Sequence, residues 1–166
     1  MAILPPPRIA WPTIAVTGQI DCPTTSAPTR RSFSRFVSRR FIVSDELEVS
    51  AFGNGHLVIE GTLKCAGEIV VDVRKILKLG DSSVEADLTV QTIEYRYNAR
   101  VQGRANIVRY DSPHVHRPMH HVHRYNTFAT DTNEQVSESN WPTLGEVLME
   151  LEDWYYANFD KLNAGA

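Results

Sequence analysis

Cysteine is scarce: Cys22 and Cys65 are the only two in 166 residues, and they form no CxxC. At most one pairing is available, which argues against a disulfide framework and for idle thiols in an intracellular chain. Long apolar runs are missing too. No stretch approaches the roughly 18 residues a membrane span requires, and residues 1–10 lack a cationic start followed by an apolar run. A soluble cytoplasmic protein, with no membrane partner, is the expectation. Strong net charge is also lacking: the total is −3, so bulk electrostatics do not mark a nucleic-acid binder. What is present is ordinary for one domain, with 42% hydrophobic and 22% charged residues. A chain of this length buries about two thirds of its unfolded surface and needs no metal or disulfide merely to fold.

Charge is unevenly spread. Residues 1–44 carry a net +5 and residues 45–166 a net −8. Six of the nine prolines fall in the first 28 residues without helical or alternating pattern, so residues 1–40 read as a Pro- and Arg-rich disordered arm and 41–163 as a single domain. In the arm, Phe33, Phe36 and Val37 lie at helical spacing between arginines, which allows a short basic helix; a solvated tail is the plainer reading.

From Leu47 the pattern has period two: Leu47, Val49 and Ala51 alternate with Glu48 and Ser50, and Gly53-Asn54-Gly55 supplies a turn. Leu57, Ile59 and Leu63 return on one face, Ala66-Gly67 turns again, and Ile69, Val71 and Val73 continue the alternation. Val84, Ala86, Leu88 and Val90 are then out of phase with Ile93, Tyr95, Tyr97, Ala99 and Val101, which predicts a bulge near Gln91-Thr92. Gln102-Gly103 predicts a two-residue hairpin loop that sets Tyr95 opposite Tyr110 and Arg96 opposite Arg109. Tyr95, Tyr97, Val108 and Tyr110 then share an apolar face, with Glu94, Arg96, Asn98, Arg100, Arg109 and Asp111 on the polar one. Thr143 and Glu146 have capping-box spacing, and Leu144, Val147, Leu148, Leu151, Trp154 and Tyr155 form one stripe of a helix reaching about Phe159. Glu146, Glu150, Glu152 and Asp153 fall on its outer side and read as structural. The fold class is therefore α+β: an antiparallel twisted sheet of five or six strands, meander plus long hairpin, covered by a C-terminal amphipathic helix.

Five of the six histidines lie within ten residues: His114, His116, His120, His121 and His123. Histidine both accepts and donates protons near neutrality, and Arg109, Arg117 and Arg124 surround the cluster with guanidinium forks that match phosphate geometry. A phosphodiester is the substrate class that fits. Two imidazoles as base and acid, an arginine for the charge developing on phosphorus and Asp111 as an orienting carboxylate would cleave RNA without a metal or other cofactor. Arg96, Arg100, Arg117 and Arg124 are the expected RNA contacts. Three readings compete. The His-x-His spacings could hold zinc, copper, nickel or iron in a hydrolase or cupin-like enzyme; the chain could bind RNA or a partner without cutting; or the histidines could be idle on a loop bounded by Pro113 and Pro118. Tyrosines at strand alternation more often pack a core than catalyse.

The segment Tyr95–Trp154 resembles TumE-type toxins of prokaryotic toxin–antitoxin pairs. The resemblance rests on Tyr95-Arg96-Tyr97, on Arg109-Tyr110-Asp111 followed by His114 and His116, on His120-His121-x-His123 and on the helix start at Pro142-Thr143-Leu144. It implies a small cytoplasmic α+β toxin that attacks RNA or translation, with a cognate antitoxin as partner and homo-oligomers within reach. Carried over to this chain, it marks Arg109, Tyr110, Asp111, His121 and His123, then His114, His116 and His120. Ser112 stands where the family pattern suggests an asparagine.

Overall fold

A computed structural model describes residues 35–80, 90–112, 120–129 and 134–164. The arm before residue 35, the alternation at Val84, Ala86 and Leu88, and His114, His116 and Arg117 lie outside the described residues.

Among the described residues, eight strands form one antiparallel sheet: β1 (Ile42–Asp45), β2 (Glu48–Phe52), β3 (His56–Cys65), β4 (Ile69–Leu79), β5 (Val90–Val101), β6 (Asn106–Asp111), β7 (His121–Tyr125) and β8 (Glu134–Glu138). From β3 to β8 each strand pairs with the next in sequence, while β1 and β2 share the far side of β3. One edge strand is thus broken in two, and the break has a visible cause. At Gly61 in β3, φ is +140°, and a Cβ there would lie 2.2 Å from the Glu46 carbonyl oxygen, so only glycine lets the β1–β2 link fold onto β3.

The helix α1 (Leu144–Ala157) covers one face. Thr143 and Glu146 form the capping box the spacing predicts, with the Thr143 hydroxyl accepting from the Glu146 amide. Val147, Leu148 and Leu151 are at most 1% exposed. Burying side chains of this size stabilises the fold by about 1.5–3 kcal/mol each. They pack over Leu63, Ile69, Val71, Tyr95, Tyr97 and Val108, with Leu144, Trp154 and Tyr155 at the margin. Asn158 ends α1 by donating to the Trp154 carbonyl, and a short α2 (Phe159–Asn163) follows, so the helix stops just before the expected Phe159. Gly67, at φ +68°, turns β3 into β4 where a Cβ would strike the Tyr155 ring at 2.7 Å.

Two expectations about the long hairpin need correction. The Gln102-Gly103 turn is present, with the Arg104 amide bonded to the Val101 carbonyl, but Tyr97 faces Tyr110 and Arg96 faces Asp111. The shift is two residues, because Arg100 pairs with Asn106 and Ile107 is left as an extra residue in β6. An even shift keeps the faces: the tyrosines still point to the core and the arginines away. The phase change on β5 is a bulge at Ile93, between the pairs Ile76–Glu94 and Leu77–Thr92. Strands β1, β7 and β8 account for the excess over the expected count.

The acids of α1 are not all outward. Glu150 accepts from the Tyr110 hydroxyl at 2.5 Å and pairs with Arg124. Glu152 is 2% exposed, 3.5 Å from Arg35 and 3.6 Å from Arg39. Those arginines flank a helical turn at residues 35–38 whose Phe36 is 1% exposed in the core. Residues 35–40 therefore belong to the packed body.

Candidate active site

Alternation along β6 and β7 directs Arg109, Asp111, His121 and His123 to the sheet face opposite α1. The register sets Asp111 beside His121 and Arg109 beside His123, so each imidazole has an ionic neighbour about 5 Å away across the strands. Asp111 is 3% exposed, and both histidines are buried. Arg109 Nε donates to Asp111 Oδ2 at 2.6 Å, and its Nη2 lies 3.0 Å from His123 Nε2. The same carboxylate oxygen is 3.6 Å from His123 Nε2 and 3.9 Å from His121 Nε2. The two imidazoles meet edge to face with centroids 4.7 Å apart.

The partners of His123 fix its protonation. Arginine can only donate, so Nε2 presents its lone pair to Arg109. On the other side, Nδ1 lies 2.5 Å from the Glu134 carboxylate, which can only accept, so the proton sits on Nδ1. This tautomer aims the Nε2 lone pair into the site, where a guanidinium masks it. Glu134 also accepts from the Tyr125 hydroxyl at 2.9 Å. These two bonds, Tyr125 first and His123 second, hold its carboxyl below the usual carboxylate range.

The family model described as toxin TumE matches residues 32–155, most of the chain. The chain belongs to the TumE toxin family. No curated protein and no solved structure matches it. Membership makes this TumE-family chain a toxin component, as its aromatic strand, histidine cluster and capped helix imply. No helix among the described residues is long and apolar enough to cross a membrane.

The positions that the sequence of this TumE chain singles out divide between two faces. Arg109, Asp111, His121 and His123 come together. Tyr110, His120 and Arg124 lie on the helix side: Tyr110 and Arg124 are tied to Glu150, and His120 stacks on Tyr95 and meets Trp141 at 4.2 Å. Burial, and for Tyr110 also its bond to Glu150, pushes both Tyr95 and Tyr110 up to about 12, so neither hydroxyl is a base near neutrality. Burial, helped by the neighbouring His121, lowers the pKa of His120. Arg96 stands across from Asp111 on the site's face, whereas Arg100, on the same face, pairs with Asp72. Ser112 is fully buried and extends the ladder: its hydroxyl accepts from the Tyr95 amide at 2.7 Å, and its own amide donates to the Tyr95 carbonyl. Glu134 escapes sequence reasoning. Its one signal is the alternation Glu134-Gln-Val-Ser-Glu138, which carries a single apolar residue.

One donor atom from each of Asp111, His121 and His123 lies within 4.8 Å of the others, a set that suits a divalent metal. Arg109 already contacts two of those atoms, Asp111 Oδ2 and His123 Nε2, so an ion would have to displace a fixed positive charge.

Proposed function

We propose that this TumE-family toxin is an endoribonuclease that cleaves RNA without a metal and is neutralised by a cognate antitoxin. The observation that carries the reading is the masked lone pair of His123, held between Arg109 and Glu134. An incoming phosphate draws the Arg109 guanidinium to its oxygens, because a bidentate, doubly charged contact is stronger than a bond to a neutral imidazole. His123 Nε2 is then free to take the proton of the 2′-hydroxyl. The 2′-oxygen attacks phosphorus, and Arg109 stabilises the added negative charge. The bond to the 5′-oxygen breaks as His121, protonated beside Asp111, gives that oxygen its proton. The products are a 2′,3′-cyclic phosphate and a free 5′-hydroxyl. Asp111 holds Arg109 and stabilises the charged imidazole in turn.

The test is incubation of purified protein with RNA, with and without a chelator. Cleavage to cyclic-phosphate ends that survives the chelator, and that is lost in His123→Ala and in His121→Ala, supports the reading. Intact RNA overturns it. Cleavage that stops with the chelator, together with stoichiometric metal in the protein, favours the second reading: a hydrolase whose metal is held by Asp111, His121 and His123.

A further inference from the structure

We propose that Arg74 and Arg96 form a second phosphate site beside the Asp111–His121 pair, making the preferred ligand a single strand of several nucleotides rather than an isolated phosphodiester. The proposal rests on the RNA reading above and narrows its substrate. The register builds one cross-strand row on the face opposite α1, running Glu48, Glu60, Arg74, Arg96, Asp111, His121 and Glu138 from β2 to β8. Within it, Arg74 and Arg96 are directly opposite each other on β4 and β5. Like charges in that position oppose strand pairing unless an anion lies between them.

The other arginines of this face are committed. Arg100 is paired with Asp72, and Arg109 with Asp111. Arg96 is exposed and makes no ion pair or side-chain hydrogen bond among the described residues. Among the described residues Arg74 pairs only with Glu60 at 3.9 Å, both side chains half exposed, a contact that counts for little in water. With strands about 4.8 Å apart, Arg96 lies one strand from Asp111 and Arg74 two, the order in which successive phosphates of an extended strand would meet them. The acids bounding the row set direction and length. Glu138 repels a polyanion on the β8 side, and Glu60 and Glu48 do so beyond Arg74. The strand therefore leaves the site over β5 and β4 and is held there for about two phosphates.

The experiment uses the full chain and non-cleavable 2′-deoxy oligonucleotides of two and six residues, with affinity followed by fluorescence anisotropy across a salt series. For the six-mer, the joint change Arg74→Ala and Arg96→Ala should lower the slope of log K against log salt by about 1.4, since each single-strand contact contributes about 0.7. The two-mer, with one phosphate, should bind equally to both proteins, and Arg74→Lys with Arg96→Lys should keep most of the slope. Thermal melting should be unchanged or raised, because a repulsion is removed. An unchanged six-mer slope, equal weakening of both oligonucleotides, or no binding of the six-mer by the unaltered chain overturns the proposal. Intact RNA with the predicted slope change overturns only the cleavage reading; cut RNA with an unchanged slope overturns only this one.

Discussion

Strand β7 carries two different chemistries on its two sides. Toward the helix, Arg124 is paired with Glu150 and donates to the Tyr110 hydroxyl, and the neighbouring His120 stacks on Tyr95 and packs against Trp141. Away from it, His121 and His123 face Arg109, Asp111 and Glu134. His120 and His121 are consecutive in sequence, yet one side offers aromatic faces and the other obligate donors and acceptors. A histidine cluster in sequence is thus not one site. The pleat divides it, and the neighbours decide which imidazole can exchange protons.

The sharpest way to break this division is to remove one histidine from each side. His123→Ala should reduce RNA cleavage by about 10²- to 10⁴-fold, the usual contribution of a positioned base, while His120→Ala should leave it within about threefold. Cleavage rates beside circular dichroism of both variants check this, and equal losses would mean that the faces cooperate. Next in size, Leu151→Ala on the helix side should cost about 2–5 kcal/mol of stability in urea unfolding, with activity lost only in proportion to the unfolded fraction. Glu150→Gln should be milder, about 1 kcal/mol, because the ion pair with Arg124 is partly exposed while Tyr110 keeps an acceptor. The smallest effect concerns pH. Burial lowers the pKa of His120 from 6.5, so the unfolded chain takes up this proton first. Its contribution to stability is complete above about 6.5 and is lost as the pH falls through the lower folded value. His120→Gln should flatten that part of the pH–stability curve measured by thermal melting.

Much of this arrangement is legible in local pattern. The capping box at Thr143 and Glu146 needs only residues three apart, and the faces of β5 and β6 follow from period two, which survives an even slip of register. What escapes is set by distant partners. The extra residue Ile107 has no signature, so the pairing of Arg96 with Asp111 was hidden. Glu152 looks solvated until Arg35 and Arg39 approach it from more than a hundred residues away. The edge strand β8 buries nothing, so alternation could not reveal it or the Glu134 that fixes His123. Toxin membership and the α+β class were accessible because they rest on ordered motifs and on the one apolar stripe of α1.

The meander also orders events in time. Because strands β3 to β8 pair with their sequence neighbours, the sheet can grow in the direction of synthesis, with little loop closure at each step. Arg109, Asp111, His121 and His123 arrive late, and the carboxylate that orients His123 arrives after them, followed by the helix that buries the opposite face. A chain interrupted before residue 134 lacks both the carboxylate that accepts a hydrogen bond from His123 and the cover for its core. The candidate catalytic centre is therefore assembled only once β8 and α1 have followed β7 out, so a product interrupted earlier would be without the oriented histidine.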